Sequence, residues 1–355
     1  MANLMVNYFT TIKKLVMGEQ GTVSVGIDIG AGDCKMVELA FSGEDFKLIN
    51  WAMEPIHDKD ISSAVKTIMS KLTQPCKRIY TSVFGKGTLI RYLDMPNMSL
   101  DELKKSFSIE ADKYFPFSLD EVYIDCCIIS PGDNRKQMYV MAAAAKKEIV
   151  DRRVEMLQSL GLSPDFIGIN SVAIANVVNI LGVDTDDEES KRKDAAFAIL
   201  DMGASMSSLI VLVDRMPWFI RDIFIGGDEL TKRISNALGI SFHEAERLKK
   251  SPGEKREQIV NASEAAILNF VQELTLSFNY FSREKNKTVT KLFLTGGGCM
   301  LDGICSAFER HLEVKVQIWN PLDKIDISEN ILSEDINLLA PKIGVALGLA
   351  LYDYD

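Results

Sequence analysis

The sequence predicts a two-lobed α/β protein, and three observations carry that reading. Apolar strands alternate with amphipathic helices along most of the chain. A strand–turn–strand segment recurs at an offset of 173 residues, about half the chain. The composition, 47% hydrophobic and 25% charged over 355 residues, is that of a globular protein long enough to bury a core without covalent staples. At about 150 residues per domain the length suggests two or three domains.

Composition also narrows the function. Fifty acidic against 40 basic residues give a net charge of −10, which argues against a nucleic-acid binder, since phosphate backbones need a basic surface. Six cysteines and three histidines, with no C-x-x-C pair, give neither a disulfide framework nor a zinc site. Reduced thiols in a cytosolic protein are expected. No apolar run reaches the roughly 18 residues of a membrane span. Leu4, Tyr8, Ile12 and Leu15 share a helical spacing, but Lys13 and Lys14 interrupt the stretch and no cleavage site follows. This segment is expected to be a tail packing on the protein or fraying, with a short membrane-surface helix as the alternative.

The elements follow in order. Val23, Val25, Ile27 and Ile29 alternate with small or polar residues as a strand, Gly30 to Asp33 turns, and Lys35 to Leu39 returns. Phe46 to Trp51 gives a third strand. Asp60 to Leu72 is helical, with Ile61, Val65, Ile68 and Leu72 on one face. Arg78 to Phe84 and Thr88 to Pro96 are strands. Ser99 and Glu102 form a capping box for a helix reaching about Tyr114 and stopping at Phe115-Pro116. Val122 to Ser130 and Gln137 to Ala145 are strands joined by the turn Pro131 to Asn134. Lys147 to Leu160 is a helix closed by Gly161, so Thr88 to Ser163 reads as a small α/β unit of its own. Ile169 to Leu181 is an apolar, buried helix, and Asp184 to Asp194 a solvated loop. Ala195 to Val213 opens a second core segment, followed by Arg221 to Gly227. Helices are expected over Glu229 to Leu238, His243 to Lys250 and Ala262 to Arg283, with a break at Ser251-Pro-Gly253. Lys291 to Leu294 is a strand running into three glycines. Leu301 to His311 and Ile343 to Tyr352 are the remaining helices.

The internal repeat carries the chemistry. GIDIGAGDCKMVEL (Gly26 to Leu39) aligns with AILDMGASMSSLIVL (Ala198 to Leu212), pairing Asp28 with Asp201, Gly30 with Gly203, Ala31 with Ala204 and Gly32 with Ser205. Successive backbone N–H groups in such turns form an anion-binding concavity, and glycine lets the backbone approach phosphate oxygens closely. An aspartate beside the turn can hold Mg²⁺ through water. Two facing hairpins could therefore clamp a triphosphate and its metal. LFLTGGGCMLDG (Leu292 to Gly303) adds a strand, three glycines and a helix whose N-terminus would face an anion.

The order of these motifs resembles the actin-like ATPase superfamily, and within it the PilM family of type IV pilus assembly, relatives of the division protein FtsA. The likeness runs roughly from Val23 to Tyr352. It rests on the two repeat segments, LDMPNMSLDELKKSFSIEADKYFPFSLDEVYID, RDIFIGGDELTKRISNALGISFHEAERLK, LFLTGGGCMLDG and VALGLALY, with EADKYFPF the most family-like stretch. It implies two duplicated ribonuclease H-like lobes with an FtsA/PilM-type inserted subdomain. The implied divisions are a tail at 1–22, a first lobe at 23–87, 164–197 and 338–355, and an insertion at 88–163. The second lobe would take 198–230 and 288–337, with a helical subdomain at 231–287.

The resemblance also implies roles. ATP with Mg²⁺ would be the cofactor, with Asp28 and Asp201 at the metal. Gly30, Ala31, Gly32, Asp33 and Lys35 would form one phosphate turn, and Gly203, Ala204, Ser205 and Ser207 the other. Gly226 and Gly227 would lie beside the nucleotide, Glu246 and Lys249 on ribose and base, and Gly296, Gly297 and Gly298 on adenosine. Asn170 stands where several relatives carry Glu or Gln. An amide can orient a water but cannot take its proton, so ATP binding with at most weak ATPase activity is expected. The implied job is a cytoplasmic scaffold, peripheral to the inner membrane, that captures the N-terminal cytoplasmic peptide of a PilN-like membrane protein alongside other pilus components. Homo-oligomerisation is compatible with this reading. Leu103, Phe107, Tyr114, Phe115 and Phe117 are the candidate walls of the peptide cleft. An FtsA-like division protein or a small-molecule kinase of the same superfamily is the alternative.

Overall fold

A computed structural model describes residues 22–354, apart from 44, 76–77, 131–136, 184–191, 333–335 and 337–339. The expected N-terminal tail, the turn Pro131 to Asn134 and most of the charged run from Asp184 lie outside the described residues. The first half contains β1 (Thr22–Ile29), β2 (Asp33–Ser42), β3 (Asp45–Pro55), α1 (Ile61–Met69), β4 (Ile79–Val83), β5 (Thr88–Pro96) and α2 (Leu100–Glu110). It continues with β6 (Val122–Ser130), β7 (Gln137–Lys146), α3 (Lys147–Ser159), β8 (Phe166–Ile169) and α4 (Asn170–Leu181). The second half contains β9 (Ala195–Met202), β10 (Ser207–Val213), β11 (Met216–Ile223), α5 (Gly227–Leu238), α6 (Phe242–Lys250) and α7 (Arg256–Lys285). It ends with β12 (Thr288–Thr295), α8 (Ile304–Leu312), β13 (Lys315–Ile318), β14 (Asp326–Ile327) and α9 (Gly344–Ala350).

The repeat seen in the sequence is a repeat of topology. One sheet runs β14-β3-β2-β1-β4-β8 and the other β11-β10-β9-β12-β13. In each, three antiparallel strands are extended by two parallel ones on the side of the first strand. The register matches too: Asp28 lies opposite Lys35, and Asp201 opposite Ser208. A third sheet, β5-β7-β6, belongs to the inserted segment.

β1 is buried on both faces, which explains its unusual alternation. Val25, Ile27 and Ile29 pack with Val65 and Ile68 of α1 and Leu157 of α3. On the other face α9 comes so close that a Cβ on Gly26 would collide with the Ala346 carbonyl, and Ser24 Oγ donates to the Ala350 carbonyl. Gly348 of α9 makes the same backbone approach to Ala173 of α4. Small residues at 24, 26 and 348 are what allow α9 to wedge between β1 and α4.

The inserted sheet sorts β7 by parity. Met138, Val140, Ala142 and Ala144 face a core shared with Leu103 and Phe107 of α2, while Tyr139 and Met141 face the opposite way, into the core of the first sheet. The capping box holds: Glu102 Oε2 accepts from the Ser99 N–H at 2.8 Å, and Ser99 Oγ accepts from the Glu102 N–H at 3.3 Å. The insertion also touches the second sheet, where Tyr139 Oη donates to the Trp218 carbonyl at 3.0 Å.

The structure differs from expectation at three places. Phe166–Ile169 is a strand and the following helix starts at Asn170; four residues between Asp165 and a helix start carry too little periodicity to be read. β13 and β14 are equally short, at four and two residues. The glycines after β12 lead into a 3₁₀ turn, Gly297–Met300, and α8 begins only at Ile304 behind Gly303, so no α-helix N-terminus follows the glycines directly.

Candidate functional site

The two repeat turns, one from each of the first and second sheets, meet at their tips. In the first, the Gly30 N–H donates to the Asp33 carbonyl at 3.0 Å, leaving Ala31 and Gly32 exposed at the tip. In the second, a Cβ on Gly203 would sit 2.7 Å from the Met206 carbonyl oxygen, and Ser205 is exposed. Gly227 and Asp228 donate their N–H groups to the Gly203 and Ala204 carbonyls at 2.8 and 2.9 Å. Ser207 Oγ donates to the Ile225 carbonyl at 2.8 Å. These bonds pin the Gly226-Gly227 corner against the second turn. A Cβ on Gly32 would lie 3.2 Å from Ala204 Cβ, so the tips are in van der Waals range of each other.

Both aspartates end the first strand of their sheet. Asp28 is buried, with Oδ2 3.0 Å from Lys35 Nζ, which also meets Asp33 Oδ1 at 2.5 Å. Asp28 Oδ1 is buried with no partner among the described residues. Burial, and then the charge of Asp28, push the Asp201 carboxyl up to about 7. Gly296, at φ +84°, passes so near that its Cβ would be 2.5 Å from Asp201 Oδ1. Three carboxylates, Asp28, Asp33 and Asp201, one with an unsatisfied buried oxygen, stand around the single ammonium of Lys35, which Asp28 and Asp33 share, so the corner is short of positive charge. An oxygen donor set of this kind fits a Mg²⁺ held through its own waters.

The remaining predicted residues collect on the second-lobe side. Lys249 Nζ meets Glu246 Oε2 at 2.6 Å, Thr231 Oγ1 at 2.8 Å and the Gly227 carbonyl at 3.3 Å. Burial lowers the Lys249 ammonium pKa in spite of Glu246. Burial works against the Glu246 carboxylate, yet Lys249 and the surrounding hydrogen bonds hold its pKa below the usual range. A Cβ on Gly227 would lie 3.1 Å from Gly298 Cα and 3.4 Å from Lys249 Nζ, and nothing stands within 4 Å of the equivalent point on Gly297. The three glycine and lysine segments thus share one wall with an open face at Gly297. Asn170 is the first residue of α4, and its Oδ1 is buried without a partner, as are Ser171 Oγ and Ser82 Oγ.

Sequence reasoning missed two cations. Lys342, at the end of the 3₁₀ turn Ala340–Lys342, makes no ion pair with another described residue. Burial lowers its pKa, and the nearby ammonium of Lys250 adds to that. Arg153 of α3 donates Nη2 to the Ile29 carbonyl at 3.4 Å, while Nη1 is buried and unpartnered. Neither stands in a motif, and only the fold brings them beside the repeat turns. Cys34 lies beside Asp28, but burial pushes its thiol up to about 12, so it stays protonated.

The expected peptide walls lie in or against the insertion's own core. Leu103, Phe107 and Phe115 are buried in the core of the insertion, and Tyr114 and Phe117 pack on it. Phe107 borders a cavity of about 370 Å³ between α2 and β6. A helical apolar stripe faces inward unless something covers it, and here it does. The larger groove, about 590 Å³, lies on the opposite face of the inserted sheet. Ile129 and Met141 of that sheet, Val150 of α3, Phe166 of β8, and Val172 and Asn176 of α4 line it. β6 is an edge strand beside it.

Comparison with known proteins agrees with this fold. A family model described as "Type IV pilus assembly protein PilM" matches residues 26–354. The structure of a PilM-PilN type IV pilus biogenesis complex superposes with a TM-score of 0.80 at 26% identity, covering 94% of this chain and 98% of that one. The ethanolamine utilization protein EutJ of Carboxydothermus hydrogenoformans shares the fold, with a TM-score of 0.54 at 15% identity, covering 95% of this chain and 91% of that one. The cell division protein FtsA of Enterococcus faecalis is 24% identical over 210 residues, 53% of this chain and 46% of that protein. The match therefore spans about half the length of the curated relatives.

Proposed function

This chain belongs to the type IV pilus assembly protein PilM family, and from that premise we propose that it is a nucleotide-loaded scaffold that captures a membrane-protein peptide. The peptide is the N-terminal cytoplasmic segment of a PilN-like protein, and the groove of about 590 Å³ beside the inserted sheet is where it docks. That groove is the observation that carries the reading. Its walls are mostly apolar, as an extended peptide with apolar anchors requires. The free edge of β6 offers backbone donors and acceptors for a strand to join. Asn176 donates Nδ2 to the Gly348 carbonyl at 3.2 Å, which leaves its side-chain oxygen to accept a peptide N–H.

ATP is the nucleotide, held between the turns Gly30 to Lys35 and Gly203 to Ser207. Asp28 and Asp201 hold Mg²⁺ through water, and the metal offsets the two carboxylates and the triphosphate charge. Lys35, Lys250 and Lys342 supply positive charge around the phosphates. Glu246 and Lys249 take the ribose and base over Gly296 to Gly298. Asn170 orients a water without accepting its proton, so turnover is slow. Among the described residues no helix is long and apolar enough to cross a membrane. The PilN-like partner supplies the link to the inner membrane, and the scaffold itself lies on the cytoplasmic side.

The test is binding of a synthetic peptide with the N-terminal cytoplasmic sequence of a PilN-like protein. Saturable binding to the folded chain is expected. Val172→Lys, which puts a charge in the groove wall, is expected to lower affinity at least about tenfold. Peptide binding unaffected by Val172→Lys would remove the groove from the account.

A further inference from the structure

We propose that the outward face of α7 is a self-association surface, on which a second copy of this chain packs its own α7 antiparallel. The helix has two unlike faces. Ile267, Phe270, Leu274 and Phe281 are buried in the core of the second sheet. On the other face, eight positions between Ala265 and Tyr280 are exposed and none carries a charge. Leu268, Leu276 and Tyr280 among them are 45%, 54% and 57% exposed. The one charged residue from 265 to 282 is Glu273, and it is engaged by Arg221 of β11 at 2.6 Å. The outer face of a surface helix ordinarily carries charged side chains. Loss of charge together with large exposed apolar groups is instead the composition of an interface centre.

The pattern of that face says what covers it. Its exposed positions recur at spacings of three and four, the stripe that one helix presents to another. They are also symmetric about Gln272. With a two-fold axis beside Gln272, Leu268 faces Leu276 of the second copy, Asn269 faces Thr275, and Ala265 faces Asn279. Every exposed position from 265 to 279 then meets another of the same set, which is the self-complementarity a two-fold contact requires.

Charge fixes the direction. Continued at the same spacing, the stripe meets its first charge at Glu257 on one side and at Arg283 on the other. Neither makes an ion pair within the described residues. In the antiparallel pair Arg283 faces Asn261 of the second copy, one turn from Glu257, and the same contact repeats at the other end. A parallel pair would set Glu257 against Glu257 and Arg283 against Arg283, like on like. The stripe runs for roughly 21 Å of helix. That is small for a protein interface, so a dissociation constant of about 10 µM is expected. No residue of α7 lines the groove beside the inserted sheet, so the surface is independent of the peptide reading.

The experiment is sedimentation equilibrium of the full chain at concentrations from about 1 to about 200 µM, which bracket that constant. The wild type is expected to pass from monomer to dimer. Leu276→Glu, at an exposed site, is expected to keep the wild-type melting temperature. It buries a charge against Leu268 of the second copy and is expected to weaken association at least about 100-fold. Arg283→Glu is expected to weaken it about tenfold, and adding Glu257→Lys to restore it. Cross-linking reads the direction. Gln272→Cys lies on the axis and is expected to give a disulfide-linked dimer on mild oxidation, beyond anything the wild type gives. In Ala265→Cys the two thiols stand roughly 20 Å apart and none is expected. A wild type monomeric throughout, or a Leu276→Glu variant that pairs like the wild type, would overturn the proposal. Equal cross-linking of the two cysteine variants would overturn it by showing a contact that is not antiparallel. A monomer that Leu276→Glu destabilises would mean that residues 1–21 of the same chain cover the face, and would overturn it too.

Discussion

Asp201 sets the pH range over which the aspartate pair welcomes a cation. Burial and Asp28 push its carboxyl up to about 7, from an ordinary value near 4. The folded state therefore binds the proton more tightly than the unfolded chain does. The stability this contributes is fully present at low pH and is lost as pH rises through about 7. A metal that binds the ionised form restores it. Mg²⁺ with ATP is expected to raise the melting temperature more at pH 8 than at pH 6. Asp201→Asn should abolish that difference and, without Mg²⁺, melt above the wild type at pH 8. Asp28→Ala should weaken Mg²⁺-ATP binding by about tenfold or more, while Asn170→Ala leaves affinity nearly unchanged. Differential scanning fluorimetry and calorimetric titration check these outcomes, and equal losses from all three substitutions would contradict the separation of roles. Asp28 and Asp201 were readable in the sequence because a repeated turn marks them. Arg153 and Lys342 were not, because a lone cation on a helix or before one carries no pattern until the chain folds.

At the scale of elements, the local signals held where chemistry fixes them and failed where geometry does. Ser99 and Glu102 announced their helix through the reciprocal hydrogen bonds of a capping box, which depend only on two residues three apart. The strand at Phe166–Ile169 announced nothing, because parallel pairing to β4 supplies what its four residues lack. The stripe Leu103, Phe107 and Tyr114 was correctly apolar, but its spacing cannot say whether it faces a ligand or its own sheet. The groove could not be read at all, since its walls come from eight strands and helices spread from β4 to α9. Leu103, fully buried, now belongs to the insertion's core, so Leu103→Ala is expected to destabilise the protein by about 3 kcal/mol. Chemical denaturation would measure that loss. A change in peptide affinity at full stability would instead return Leu103 to the binding surface.

At the scale of the whole molecule, the two sheets are copies in topology with different surroundings. The first is wedged by α9 and carries the insertion, and the second is backed by the 30-residue α7. Gly348→Ala tests how much the wedge matters. With the Ala173 carbonyl already against the glycine, a methyl group must displace α9 or α4, at a cost of about 2–3 kcal/mol. A melting temperature unchanged by the substitution would mean the helices part easily. The same wedge governs how the chain is made. β1 is among the first described segments to be synthesised, yet the helix that covers its inner face, residues 344–350, leaves the ribosome more than 300 residues later. Residues 195–318 contain every strand of the second sheet and can collapse first. The earlier-made lobe must wait, one flank bare, and is the part of the nascent protein that most needs a chaperone.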